Sequence, residues 1–142
     1  MSNQELIKLA LQAREMSYSP YSNFKVGACL VAKDGEIFTG CNIENIAFTP
    51  TICAERTAFF KAVSSGVTEF SKIAIVGGVS LPLNSYAFPC GVCRQVMLEF
   101  CDVNEFKVIV AKSETDFQEY KLSELMPMSF SPKNQVLGTN KK

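Results

Sequence analysis

Histidine is absent from this chain of 142 residues, and neither sign of charge is in excess. Without histidine, Ser-His and Cys-His catalytic arrangements and histidine metal ligands are excluded. Fourteen basic residues balance 14 acidic ones, whereas chains that wrap nucleic acid carry a basic excess, because phosphate neutralisation supplies much of their affinity. We therefore expect a small or neutral ligand and no nucleic-acid partner. Any chemistry must use carboxylates, thiols, lysine, tyrosine, hydroxyls or a metal.

Long apolar runs are absent as well. No stretch approaches the roughly 18 to 20 apolar residues that a membrane span needs. The segment Met1–Lys8 is polar, whereas a signal peptide has basic residues followed by an apolar run. The sequence therefore predicts a cytoplasmic protein with no membrane partner. Cysteines stay reduced in that compartment, so the six in this chain are expected to be ligands, redox groups or core residues.

Strand and helix patterns alternate along the chain, which predicts an α/β fold. Ser2 and Glu5 form a capping-box pattern at the start of the first helix. The expected arrangement is a three-layer sandwich, in which helices cover a mixed five-stranded sheet, in a single domain at 1–142 with a frayed tail at about 131–142. The predicted elements are a helix at about 3–17, strands at 24–32 and 36–41, a helix at 53–64, a strand at 73–76, a helix at 89–101, strands at 106–111 and 117–122, and a short helix capped by Ser123.

Three of the six cysteines form a pattern typical of a metal site. Cys53 opens one predicted helix, and Cys90 and Cys93 form a C-x-x-C pair at the start of the next. Helix N-termini favour thiolates through their backbone N–H groups and dipole. A catalytic zinc ion uses three protein ligands and keeps a fourth position for water, whose pKa it lowers. The other cysteines, Cys29, Cys41 and Cys101, are expected to fill the core.

Two residues that follow Cys53 complete the predicted site. Glu55 lies two residues further along, too close in sequence to be a fourth ligand with good geometry. Its expected role is to carry a proton from water to the substrate. Three thiolates outweigh the charge of a zinc ion, so we expect Arg56 to offset the excess by hydrogen bonding to the ligand sulfurs.

Four segments resemble the cytidine deaminase family. They are CAERTA at 53–58, PCGVCRQV at 89–96, SPYSNFKVGA at 19–28 and GCNIENIAF at 40–48. The resemblance runs from about residue 19 to residue 130 and is closest to the short, homotetrameric branch with three cysteine ligands. It implies that Cys53, Cys90 and Cys93 bind one zinc ion per subunit and that Glu55 protonates ring N3 and then the departing amino group.

The resemblance also implies residues that contact a nucleoside. Asn42 and Glu44 correspond to the pair that binds the ribose 3′-hydroxyl, and Phe24 to a ring that packs against the nucleoside. A carboxylate such as Glu44 repels phosphate, so we expect a free nucleoside, and a contact to the 3′-hydroxyl alone accepts ribose and 2′-deoxyribose equally. Expected contacts to the base are the backbone of Ala54 and Cys90, and Phe48 and Phe130 across subunit interfaces of a homotetramer.

Three other functions remain open on the sequence alone. One is a related aminopyrimidine nucleoside deaminase of the blasticidin type, which shares the zinc motif. A second is a thiol-disulfide oxidoreductase that uses Cys90 and Cys93, although it leaves Cys53 and Glu55 without a role. A third is a structural zinc module, which needs a fourth ligand such as Cys41.

Overall fold

A computed structural model describes residues 1–132 of the chain. Of the predicted tail at 131–142, residues 133–142 therefore lie outside the described residues. The elements are the helices α1 (Asn3–Arg14), α2 (Ala54–Ser64), α3 (Gly91–Phe100) and α4 (Leu122–Leu125), and the strands β1 (Lys25–Ala32), β2 (Ile37–Cys41), β3 (Phe70–Gly78), β4 (Lys107–Ala111) and β5 (Phe117–Lys121).

The strands form one mixed sheet in the order β2-β1-β3-β4-β5. β1 is antiparallel to both β2 and β3, β3 is parallel to β4, and β4 is antiparallel to β5. Because β2 and β3 both run opposite to β1, they run in the same direction. The loops that follow β2 and β3 therefore leave the sheet at one edge, and α2 and α3 begin there.

Two hydrophobic cores lie on opposite faces of the sheet. Side chains of β1 alternate between them, as strand geometry requires. Cys29 and Val31 pack with α1, whereas Ala28 and Leu30 pack with α2 and α3. The molecule thus has three layers, with α1 on one face and α2 and α3 on the other. This confirms the predicted sandwich with a mixed five-stranded sheet.

Phe59 of α2 is the central residue of the core beneath the two interior helices. It is fully buried, and its ring centroid lies 5.0 Å from that of Phe70 in β3 and 6.4 Å from that of Phe100 in α3. A third ring, Phe106, lies 6.1 Å away. These aromatic contacts add to the burial of apolar area and join α2 to α3 and to the sheet.

Several predicted boundaries need correction. The capping box of α1 is present, with Ser2 Oγ accepting from the N–H of Glu5 at 3.2 Å. However, α1 ends at Arg14 and not near residue 17, because the backbone of Tyr18 leaves the helix to pair with residues 42 and 44. The N-cap position of the short helix α4 is Lys121 and not Ser123, and the N–H of Lys121 donates to Glu124 Oε1 at 2.8 Å.

Strand β3 is longer than the predicted 73–76. It pairs with β1 from Phe70, opposite Ala32, to Gly78, opposite Lys25. The neighbouring strand therefore extends β3 beyond its run of β-branched residues. Within residues 1–132, no helix combines the length and the apolar character needed to cross a membrane.

Replacing Phe59 by Ala is expected to lower the free energy of unfolding by about 3–5 kcal/mol, because it leaves a cavity among three aromatic rings. Phe60, its neighbour on α2, is 44% exposed, so Phe60→Ala is the matched control and should cost much less. Urea denaturation of the two variants and the parent protein measures the difference. Equal losses would show that Phe59 does not have this central packing role.

Candidate metal centre and adjoining loops

Two cysteines stand at the N-termini of the interior helices. Cys53 is the N-cap of α2 and makes no side-chain capping hydrogen bond. Cys90 is the N-cap of α3, and its sulfur accepts from the backbone N–H of Cys93 at 3.5 Å. The unpaired N–H groups and the dipole at each helix start stabilise negative charge on these sulfurs.

The three predicted ligands lie close together. Cys53 Sγ is 3.7 Å from Cys90 Sγ, which is 3.5 Å from Cys93 Sγ, and all three sulfurs lie within 4.8 Å of one another. A tetrahedral zinc ion with Zn–S bonds of about 2.3 Å separates its sulfurs by about 3.8 Å. The donor set therefore fits zinc in both chemistry and spacing. Among the described residues Cys41 does not belong to this group, which argues against a closed four-cysteine site.

Cys53 and Cys93 differ in how firmly they hold their protons. Hydrogen bonds from the Cys93 thiol and from Arg56 outweigh burial and lower the pKa of Cys53 to about 5. The same bond to Cys53, together with burial, raises the pKa of Cys93 well above its usual range. Ligand cysteines must lose their protons when a metal binds, and Cys53 thus ionises more readily than Cys93.

Glu55 is a buried carboxyl group in the first turn of α2. It is only 4% exposed. Burial raises the pKa of Glu55 to about 7, and the negative charge of Cys53 acts in the same direction. A carboxyl group with a pKa near neutrality can both take up and release a proton at physiological pH, which suits general acid–base chemistry.

Arg56 lies beside the sulfur of Cys53. Its Nη2 is 3.5 Å from Cys53 Sγ. Burial lowers the pKa of Arg56, but hydrogen bonds to the sulfurs of Cys53 and Cys93 outweigh that effect and give a net increase. The guanidinium therefore supplies positive charge to the thiolate cluster.

Asn42 joins the loop after β2 to the segment before β1. Its Nδ2 donates to the carbonyl of Phe24 at 2.8 Å, and its Oδ1 accepts from Ser17 Oγ at 2.5 Å and from the N–H of Val26 at 2.9 Å. The residue is 8% exposed. Nδ2 carries two hydrogens. Within residues 1–132, the bond to Phe24 uses one of them, and the other can be donated to a ligand.

Glu44 is held by the segment that precedes Phe24. Its Oε1 accepts from the N–H groups of Tyr21 and Ser22 at 2.9 and 3.2 Å, and its Oε2 accepts from Ser22 Oγ at 2.5 Å. The hydroxyl of Ser22 lowers the pKa of Glu44, and the two backbone donors add to the effect. Glu44 is therefore ionised at neutral pH and held in one orientation.

Phe24 lies next to the segment that leads to Cys90. A Cβ built on Gly77 would lie 3.1 Å from Cε2 of Phe24 and 2.9 Å from Cβ of Ala87. The ring thus covers the end of β3 beside the loop that precedes α3, and it is 39% exposed. Ala54, fully buried, offers one of the N–H groups at the start of α2.

The remaining predicted contacts lie on the surface of the chain. Phe48 is 69% exposed and makes an edge contact with Tyr21, with ring centroids 6.1 Å apart. Phe130 is 63% exposed, and its carbonyl accepts from Gln95 Nε2 at 2.7 Å. An open cavity of about 380 Å³ adjoins Phe48 and is lined by Tyr21, Ser22, Glu44, Phe48 and Thr51.

Sequence reasoning missed two residues that hold predicted contacts in place. Ser22 binds Glu44, and Gln95 binds the backbone of Phe130. Both lie inside the segments that carry the family resemblance, SPYSNFKVGA and PCGVCRQV. Their partners lie 22 and 35 residues away, so no local spacing pattern indicates the contact.

The family assignment rests on a match to a family model described as the cytidine and deoxycytidylate deaminase zinc-binding region, over residues 1–110. The chain belongs to this deaminase family. Zinc is the cofactor of the family's binding region, and Cys53, Cys90 and Cys93 are positioned to hold it.

Several named deaminases are similar to this chain over most of its length. The cytidine deaminase of Sporosarcina psychrophila is 47% identical over 92% of this chain and 93% of its own. That of Halalkalibacterium halodurans is 48% identical over 92% of this chain and 96% of its own. The crystal structure of cytidine deaminase from Burkholderia pseudomallei has a TM-score of 0.83 and 42% identity, covering 92% of this chain and 100% of that chain.

Removing one ligand should abolish stoichiometric zinc binding by the deaminase chain, whereas removing a cysteine outside the cluster should not. Cys90→Ala is the variant of choice, because Cys90 is exposed and its replacement disturbs the core least. Cys41→Ala is the control and should keep one zinc ion per chain, as elemental analysis can measure. Cobalt-substituted protein should show the absorption of three thiolates and one oxygen ligand. A four-thiolate spectrum, or loss of zinc from Cys41→Ala, would contradict this arrangement.

Proposed function

We propose that this chain catalyses the zinc-dependent hydrolysis of cytidine and 2′-deoxycytidine to uridine and 2′-deoxyuridine, with release of ammonia. Such a reaction serves pyrimidine salvage. The observation that carries the proposal is the convergence of three sulfurs and a buried carboxyl group at the starts of α2 and α3. Membership of the deaminase family and the names of the similar proteins support the same substrate class.

The site residues divide into ligands and a proton carrier. Cys53, Cys90 and Cys93 hold the metal, and Arg56 stabilises their charge. When bound, zinc supplies Lewis-acid activation of water for attack on C4 of the base. Glu55 would accept one proton from water and deliver it to ring N3. It would then take the second proton from the oxygen added at C4 and pass it to the amino group, which leaves as ammonia. Its pKa of about 7 supports both directions of transfer.

The loops beside the metal centre bind the nucleoside in this proposal. Glu44 and the remaining amide hydrogen of Asn42 contact the sugar 3′-hydroxyl, and Phe24 packs against the nucleoside. The backbone of Ala54 and Cys90 contacts the base edge, since both lie at helix starts where N–H groups lack intrahelical partners. The ionised state of Glu44 supports a neutral sugar as the partner of this loop.

A homotetramer with active sites at subunit interfaces is the proposed assembly. Four large apolar side chains on the surface of the subunit support an interface, since an isolated chain would leave them in water. They are Ile46, Phe48, Met128 and Phe130, with exposures of 77%, 69%, 94% and 63%. Phe48 and Phe130 cover the base from neighbouring subunits in this assembly. We also propose that the chain is one domain over 1–142 and works in the cytoplasm.

The competing functions are less consistent with the site. A thiol-disulfide oxidoreductase that uses Cys90 and Cys93 has no role for Glu55, a buried carboxyl group beside the sulfurs. A closed structural zinc site lacks a fourth sulfur among residues 1–132. A deaminase of the blasticidin type uses the same metal centre, so it differs from this proposal in substrate alone.

Glu55→Gln should remove nearly all turnover without removing zinc. The amide cannot accept the proton, and general acid–base groups contribute about 10²- to 10⁴-fold to rate. The loss of cytidine absorbance on mixing with purified enzyme measures turnover, and elemental analysis measures zinc. Glu36→Gln, in the turn between β1 and β2, is the matched control and should keep full activity. A fully active Glu55→Gln enzyme would rule out the proton-carrier role.

Nucleosides should be far better substrates than nucleotides. We expect similar kcat/KM values for cytidine and 2′-deoxycytidine, and a value roughly tenfold to a hundredfold lower for cytidine 5′-monophosphate, because its phosphate is repelled by the Glu44 carboxylate. Glu44→Gln should narrow the gap between nucleoside and nucleotide. A panel that includes an aminopyrimidine nucleoside antibiotic tests the blasticidin-type alternative in the same assay, and preference for that compound over cytidine would favour it.

A further inference from the structure

Ser22 connects two residues to which the proposed function gives substrate contacts. Its hydroxyl donates to Oε2 of Glu44 at 2.5 Å, and its oxygen accepts from the backbone N–H of Phe24 at 3.0 Å. A serine hydroxyl carries a single hydrogen. Because Phe24 donates to the oxygen, that hydrogen is directed at Glu44. One hydroxyl therefore sets the position of the carboxylate relative to the segment that carries the Phe24 ring.

The hydrogen bonds of Glu44 leave little accepting capacity for a ligand. An ionised carboxylate offers about four lone-pair sites, two on each oxygen. The N–H groups of Tyr21 and Ser22 occupy both sites on Oε1, and the Ser22 hydroxyl occupies one on Oε2. Within residues 1–132, this leaves one site, on Oε2, next to the hydroxyl of Ser22. Glu44 can therefore accept from a single further hydroxyl group.

We propose that Ser22 is a positioning residue for substrate specificity, which limits Glu44 to one sugar hydroxyl and aims its free lone pair at that group. The inference rests on the proposed function. It adds the residue that restricts Glu44 to a hydrogen bond with one sugar hydroxyl. It also supplies a physical reason for the acceptance of both ribose and 2′-deoxyribose, since no second lone pair is left for a 2′-hydroxyl. Ser22 itself does not contact the sugar.

The test compares Ser22→Ala with the parent enzyme on cytidine, 2′-deoxycytidine and 2′,3′-dideoxycytidine. Without the Ser22 hydroxyl, Oε2 loses its fixed direction, so KM for the first two substrates should rise about three- to tenfold, the worth of one hydrogen bond. The values of kcat should stay close to those of the parent, because the metal centre is untouched. The dideoxy substrate lacks the hydroxyl that Glu44 accepts, so its KM should not change.

Three further variants make the test specific. Ser22→Thr keeps a hydroxyl and should restore a low KM, whereas Ser22→Gly also removes it and should reproduce the pattern of Ser22→Ala. Ser65→Ala removes an exposed hydroxyl that donates to the Lys61 carbonyl at the end of α2 and should match the parent on all three substrates.

The outcomes separate this proposal from the one it rests on. A parent enzyme that deaminates none of the three substrates would refute the proposed function itself. If the parent is active but Ser22→Ala lowers kcat and raises KM to the same extent on all three substrates, Ser22 has a structural role. That result would overturn the positioning proposal alone. A Glu44→Ala enzyme with an undiminished preference for 2′-deoxycytidine over 2′,3′-dideoxycytidine would overturn it too, because Glu44 would then make no contact with the 3′-hydroxyl.

Discussion

The meeting of two helix N-termini at one edge of the sheet is the constraint on which this site depends. Three sulfurs within 4.8 Å of one another require α2 and α3 to begin side by side, although Cys53 and Cys90 are 37 residues apart. The topology meets this requirement because β2 and β3 run in the same direction on either side of β1. The packing of Phe59 against Phe100 then holds the two helices at that spacing.

Charge is the second constraint. Three thiolates around a divalent ion leave excess negative charge, and the chain offsets it with two helix starts and with Arg56, which lies 3.5 Å from the sulfur of Cys53. Glu55 is close to the same negative charge and is buried, so its pKa rises to about 7. The surroundings that suit the metal ligands thus also prepare the carboxyl group to exchange a proton.

The segments before β1 and after β2 are held together differently from the metal centre. The helices place the sulfurs through packing of a core, whereas the segments before β1 and after β2 are joined by side-chain hydrogen bonds. Asn42 holds the backbone of Phe24, and Ser22 holds Glu44. Such bonds give direction as well as proximity, because each donor and acceptor has a limited number of sites. This allows exposed loops to present polar groups in one fixed arrangement.

The sequence alone determined the features that depend on near neighbours along the chain. The alternation of strand and helix patterns predicted the mixed sheet and its layers, the Ser2–Glu5 spacing predicted a capping box, and the C-A-E and C-x-x-C motifs predicted the metal ligands. The resemblance to the deaminase family added the residues expected to contact substrate. Tertiary structure alone decided where α1 ends, how far β3 extends, and that Ser22 meets Glu44. Each of these depends on a contact with a distant segment or a neighbouring strand. Local sequence preferences do not specify such contacts, because the residues involved come together only when the chain folds.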